Sequence, residues 1–164
     1  RVDLVRLQWR DIEITPRGAI VHLRRSKTDP DGRGCDVGIP GGRSPLTCPV
    51  AALTAWRNAY EVARTVTPDS PVFVRVGRSG RLGEEPLTGE AVTDIVKRRA
   101  RQADLQGTWG GRSLRAGFIS TAADLDIPLE LIARQSRHAT LDTLIRYIRT
   151  EDPFRRNPAH SVGL

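Results

Sequence analysis

The feature that most constrains this chain is a change in apolar period near residue 40. Before that point apolar residues alternate or run in short blocks, and after it they recur at spacings of three and four. Ala19-Ile20-Val21-His22-Leu23 reads as a strand, preceded by a strand near Asp11 to Thr15. Cys35, Val37 and Ile39 alternate with polar or small residues as a further strand. Between these last two lies Asp29-Pro30-Asp31-Gly32, a turn sequence in which Pro presets φ and Asp bonds its own backbone. These runs predict a small three-stranded antiparallel sheet. Asp3 to Trp9 reads as the tail of a helix entering it.

A Gly/Pro-rich break from Pro40 to Pro45 ends the strand pattern, and most of the remainder reads as helix. Pro49 suits a first helical position, with Leu53, Trp56 and Tyr60 as the apolar stripe that follows. A loop from Thr67 to Pro86 contains Val72-Phe73-Val74 as a short extended piece. Thr88 caps a helix bearing Val92, Ile95 and Val96, which ends in the basic run Lys97 to Arg101. Past Trp109-Gly110-Gly111, helices are predicted from about Ser113 to Leu125, from Pro128, and from about Thr140. In the first of these the apolar stripe is read as Leu114, Phe118, Ala122 and Leu125, with Arg112 and Arg115 together on one side, off the stripe. In the last, Leu141, Leu144, Ile145 and Ile148 form the stripe and Tyr147 stands beside it, while His138 falls in the exposed turn before the Thr140 cap. The fold class is therefore α+β, a helical body with the sheet at its edge.

Length bounds the organisation: 164 residues are enough for one domain with a real core, read here as a single catalytic domain over 1–164. A 27% charged fraction with 38% hydrophobic residues excludes wholesale disorder, and no apolar run approaches the ~18 residues that a membrane span needs. Cys35 and Cys48 are too few for a disulfide framework or a four-ligand zinc site, and the expected compartment is the cytoplasm. The net charge of +7 is uneven, with +2 over residues 1–96 and +5 over 97–164, which points to a polyanionic partner. Of the 26 basic residues only Lys27 and Lys97 are lysines, so a lysine is the more informative cation here. Glycine loops followed by Lys-Ser/Thr, GxGxxG, His-Glu-x-x-His and Gly-x-Ser-x-Gly are all missing, so nucleotide-driven, hydride-transfer, zinc-hydrolase and serine-hydrolase chemistry lose their usual support. What remains is Arg, Lys, His and Tyr.

Those residues occur in an ordered set. Gly111-Arg112-Ser113-Leu114-Arg115-Ala116-Gly117-Phe118 is followed by Ile127-Pro-Leu-Glu-Leu-Ile132, by Arg134-Gln-Ser-Arg-His138 and by Leu144-Ile-Arg-Tyr147. This stretch resembles the second conserved block of the tyrosine recombinases, or phage integrases, and the nine-residue interval from His138 to Tyr147 matches theirs. Ser26-Lys27-Thr28-Asp29 is similar to the hairpin that carries the catalytic lysine of that family. Cys48-Pro-Val-Ala-Ala-Leu53 with Trp56 resembles the helix that follows it, Arg1 to Ile12 the end of the first block, and Asn157 to Leu164 the tail. Taken singly, each residue has an ordinary explanation: Tyr147 as a rim residue, His138 as a solvated loop side chain, Lys27 as an edge charge, Arg112 and Arg115 as a solvated helix face. Order and spacing together are what favour the resemblance.

The resemblance implies strand cleavage and rejoining in double-stranded DNA through a 3′-phosphotyrosyl intermediate, with no cofactor and no metal. Tyr147 would be the nucleophile. Arg115 would hold the non-bridging oxygens, with Arg112 beside it where the family has His or Lys. His138 would bond the phosphate or accept the phenolic proton, and Lys27 would protonate the leaving 5′-oxygen. Arg137 stands where the family has Gly before the His. A chain with no Met that begins at Arg1 is expected to be a piece of a longer protein. The first catalytic arginine of the family is expected one residue before Arg1, so the 164 residues would bind DNA weakly and cleave it poorly on their own. The intact protein would carry an N-terminal DNA-clasping domain and act as a tetramer on DNA. Two other functions share these features: a type IB topoisomerase, working as a monomer, and a basic DNA-binding module without chemistry.

Overall fold

The structure, a computed structural model, describes residues 2–24 and 34–148 together with Ala159 and Val162. They fall into two compact units, Arg1–Gly111 and Arg112–Leu164.

The first unit begins with a single helical turn, α1 (Val2–Val5), and a 3-10 turn over Trp9–Asp11. Three strands follow, β1 (Ile12–Thr15), β2 (Gly18–Leu23) and β3 (Cys35–Pro40), as an antiparallel sheet in the order β1-β2-β3. The sequence expectation holds here. Thr15 pairs with Gly18, so Pro16 and Arg17 form the two-residue loop. Gly18 pairs with Pro40 on its other side, and a Cβ there would run into the Ile39 carbonyl, so the central strand can start this close to β3 only at a glycine.

Helix α2 (Pro49–Ala63) starts with Pro49 at its first position, as expected, and is capped by a thiol: Cys48 Sγ accepts from the Ala51 and Gly42 N–H groups. These two donors hold the Cys48 thiol below the usual cysteine range. The stripe read from sequence faces the core. Tyr60 is fully buried, with Trp9 and Trp56 packed edge-on against it at ring-centroid distances of 6.0 and 5.7 Å. Trp56 Nε1 donates to the Val72 carbonyl at 2.7 Å, tying α2 to the 67–72 loop. Leu7, Val21, Val72 and Val74 complete this core.

The loop predicted from Thr67 to Pro86 is more ordered than its Gly/Pro content suggests. β4 (Val74–Val76) and β5 (Leu82–Pro86) form an antiparallel hairpin with a bulge, turned at Gly77 to Gly80. Helix α3 (Gly89–Gln102) is capped by Thr88 Oγ1, which accepts from the Ala91 N–H, and ends with Arg99 and Arg101 in its last turn, where cations complement the helix dipole.

The second unit contains α4 (Ser113–Asp124), α5 (Leu129–Ser136) and α6 (Leu141–Ile145). Its core is Ile119, Ala122, Ala123, Ile132, Ala133 and Leu144. This corrects the stripe read for α4: Leu114, Phe118 and Leu125 are exposed, and the buried face is Ile119, Ala122 and Ala123. Ile119 and two alanines, and not Leu114, Phe118 or Leu125, make the face that α4 turns to this core. Helix α6 is also shorter than its pattern suggested, ending before Tyr147. Leu144 is fully buried while Leu141 and Ile145 are exposed. Among the described residues, no helix is long and apolar enough to cross a membrane.

Candidate functional site

Four of the five sequence-predicted site residues belong to the second unit; the fifth, Lys27, lies outside the described residues, as does most of the expected tail. Arg112 is the N-cap residue of α4 and Arg115 sits in its first turn, both exposed. Counting from Arg115 by four and seven residues gives Ile119 and Ala122, so both arginines extend the core-facing side of α4, not a face away from it.

Helix α5 delivers the histidine. It ends at Arg137, whose backbone is left-handed (φ 57°, ψ 50°), the conformation in which a helix-terminating glycine is commonest. This turn folds the chain back so that the His138 N–H donates to the Ala133 carbonyl at 2.9 Å. The ring then lies within 2.7 Å of Ser136 Oγ through Nδ1. His138 is consequently half-buried, whereas the sequence placed it in an exposed turn. Its pKa is held below the ordinary imidazole value, first by burial and then by the charge of Arg115.

Tyr147 lies in the turn after α6, not on the helix where the sequence pattern put it. Thr140 caps that helix, its Oγ1 accepting from the Thr143 N–H. The Tyr147 N–H donates to the Leu144 carbonyl at 2.9 Å, and its own carbonyl accepts from Ser120 Oγ of α4 at 3.2 Å. Tyr147 is half-buried and packs on the core, with its ring edge-on to His138 at a centroid distance of 5.3 Å and 67° between planes. The structure thus brings together a phenol, an imidazole whose pKa is held below its ordinary value and a guanidinium that acts on that imidazole. Ser120 and Ser136 were given no role from sequence. Only the three-dimensional closure of α4, α5 and the post-α6 turn reveals what they touch.

No family profile matches the chain. A curated relative, the integrase/recombinase xerD homolog of Selenomonas ruminantium, is 34% identical over 158 residues, which cover 96% of this chain and 45% of that protein. The chain therefore spans about half the length of the curated relative it matches. Among solved structures, the XerH site-specific recombinase bound to its difH substrate in a pre-cleavage complex matches with a TM-score of 0.69 at 18% identity, covering 99% of this chain and 42% of XerH. The XerA recombinase matches with a TM-score of 0.69 at 17% identity, covering 99% of this chain and 51% of XerA. The Tn1549 transposon integrase in complex with transposon right-end DNA gives 0.60 at 12%, covering 100% and 55%. These likenesses establish the fold as that of site-specific recombinases. The chain is thus similar in sequence to a curated integrase/recombinase over nearly half of that protein's length, and similar in fold to solved site-specific recombinases.

Proposed function

We propose that this chain supplies most of the catalytic domain of a site-specific DNA recombinase or integrase. One DNA strand is cut by Tyr147 and held as a 3′-phosphotyrosyl link. The observation that carries this reading is the packing of the Tyr147 and His138 rings, 5.3 Å apart, with Arg115 close enough to perturb His138. A phenol is a weak nucleophile until its proton has somewhere to go, and a neutral imidazole is a suitable acceptor. The attacked phosphate gains charge on its non-bridging oxygens, which Arg115 and Arg112 match in sign and geometry. Lys27 gives a proton to the departing 5′-oxygen. No nucleoside triphosphate is consumed, because the phosphotyrosyl bond conserves the energy of the one broken. The intact protein assembles as a homotetramer on paired duplexes.

The test uses the chain within its native open reading frame and nicked suicide duplexes tiled across the DNA flanking its own gene. A denaturant-resistant protein–DNA adduct that disappears in Tyr147→Phe supports the reading. Adducts without site preference on any supercoiled plasmid would favour a topoisomerase instead. Binding to duplex DNA with no adduct would leave a binding module without chemistry.

A further inference from the structure

Ser136 ends α5 and is 6% exposed. Its Oγ lies 2.6 Å from the Ile132 carbonyl oxygen, 3.5 Å from that of Ala133 and 2.7 Å from His138 Nδ1. A hydroxyl has one proton to give. Two oxygens 2.6 Å apart repel unless a hydrogen lies between them, and that distance is normal for O–H···O. The proton is therefore directed at Ile132, which leaves Ser136 Oγ as an acceptor toward the imidazole. Only an N–H on Nδ1 satisfies the 2.7 Å contact.

We propose that Ser136 is a positioning residue that fixes His138 as its Nδ1–H tautomer, so that Nε2 keeps its lone pair and serves as a proton acceptor. The back-bond from a serine to the carbonyl four residues earlier is a common structural device. What sets Ser136 apart is the second bond it makes. The left-handed Arg137 and the His138 N–H bond to Ala133 return the ring to the helix end from the backbone side, while Ser136 anchors Nδ1 from the side-chain side. A neutral ring of this tautomer has no Nε2–H to offer a phosphate oxygen. Of the two roles open to His138, proton acceptor or donor to the phosphate, the arrangement selects the first. Within the recombinase reading, on which this role rests, the Tyr147 Oη proton passes to Nε2 as the phenolate oxygen bonds to phosphorus. The phosphorus–5′-oxygen bond then breaks, and that oxygen takes its proton from Lys27.

The tautomer can be read without any substitution. In long-range proton–nitrogen correlation spectra of the 15N-labelled chain, recorded above the pH at which His138 titrates, Nδ1 is expected to be protonated and Nε2 bare. The signals are assigned by their loss in His138→Gln. An Nε2–H form in the unsubstituted chain would overturn the proposal. Ser136→Ala should move His138 to the Nε2–H form, and Ser136→Thr should keep the Nδ1–H form. In the adduct assay, Ser136→Ala should slow covalent capture about tenfold with DNA binding unchanged, and Ser136→Thr should restore it. Ser136→Ala with tautomer and rate both unchanged would also overturn it. If the unsubstituted protein shows the Nδ1–H tautomer but never captures DNA, the recombinase reading fails and the Ser136–His138 arrangement stands.

Discussion

The two units solve the problem of making a core in different ways. The first buries large rings: Tyr60 between Trp9 and Trp56, walled by Val21 of the sheet and by Val72 and Val74. The second has three alanines in a core whose larger members are Ile119, Ile132 and Leu144. Large rings fill volume and hold a sheet to a helix. Alanines let helices approach closely, so that side chains at helix ends converge, and the second unit is where Arg115, His138 and Tyr147 lie. The contrast extends to the two described histidines. His22 Nδ1 on β2 donates to Asp36 Oδ1 at 2.8 Å and has its pKa raised chiefly by that bond, while burial and Arg115 lower that of His138.

The sharpest way to break the contrast is through the two residues of the second unit that carry attack and charge stabilisation. Tyr147→Phe should reduce covalent DNA capture by at least about a thousandfold, as expected when a nucleophile is removed. Arg115→Ala should cost roughly a hundredfold to a thousandfold through lost stabilisation of the transferring phosphate. Both should leave thermal stability nearly unchanged, because Tyr147→Phe removes only the hydroxyl and Arg115 is exposed. A large fall in stability accompanying either loss would mean that the residue acts as scaffold.

Core truncations come next. Tyr60→Ala should cost about 3–5 kcal/mol and Leu144→Ala about 2–5 kcal/mol in denaturant unfolding, both sites being fully buried. They should differ in reach. Leu144 accepts from the Tyr147 N–H, so its truncation should also disturb the His138 and Tyr147 resonances, whereas Tyr60→Ala should leave them in place. Tyr60→Phe should go the other way. Its buried Oη has no hydrogen-bond partner among the described residues, so removing it should stabilise by about 1 kcal/mol.

How much of this was legible in the sequence follows the same divide. Alternating and blocky apolar runs defined the three-stranded sheet because one face of each strand is covered, and Leu53, Trp56 and Tyr60 announced the buried face of α2. The β4–β5 hairpin was missed because Gly77, Gly80, Gly83 and Pro86 hide its short pattern, and β4 has only three residues. In α4 apolar residues occur all round the helix, so periodicity cannot choose a face, and residue size pointed to the wrong one. One contact was legible as spacing: the rings of His138 and Tyr147, nine apart, pack on each other. That His138 is half-buried and tied to Ser136 was not, because it depends on a left-handed residue where the sequence has arginine.

The two histidines give the next test. An NMR titration should find His22 above the ordinary imidazole value of about 6.5 and His138 below it. Asp36→Asn should bring His22 down and leave His138 alone. Arg115→Ala should raise His138 only in part, because burial is the larger cause. The linkage signs are opposite. The His22–Asp36 contribution to stability is full at low pH and is lost as pH rises through the raised value, whereas that of neutral His138 is present above about pH 6.5 and is lost as pH falls through the lowered one. Covalent capture should follow His138, failing on the acid side at a pH below 6.5. If both histidines titrated together, the electrostatic contrast between the units would fall.

The smallest expected effect concerns Arg137, and it separates backbone from side chain. A non-glycine residue in the left-handed region costs about 1–2 kcal/mol, and glycine removes that cost while adding about 0.5–1 kcal/mol of unfolded-state entropy. Arg137→Gly should therefore raise stability by up to about 1 kcal/mol, a melting shift of about 2–4 °C for a chain of this size. Arg137→Ala keeps the Cβ and hence the strain, so it should not stabilise. Because glycine adopts φ 57° freely, Arg137→Gly should also preserve the His138 N–H bond to Ala133 and the tautomer set by Ser136. If both variants lost stability equally, the contacts of the Arg137 side chain would outweigh the backbone strain. The histidine turn would then be held by its arginine, and not by helix geometry alone.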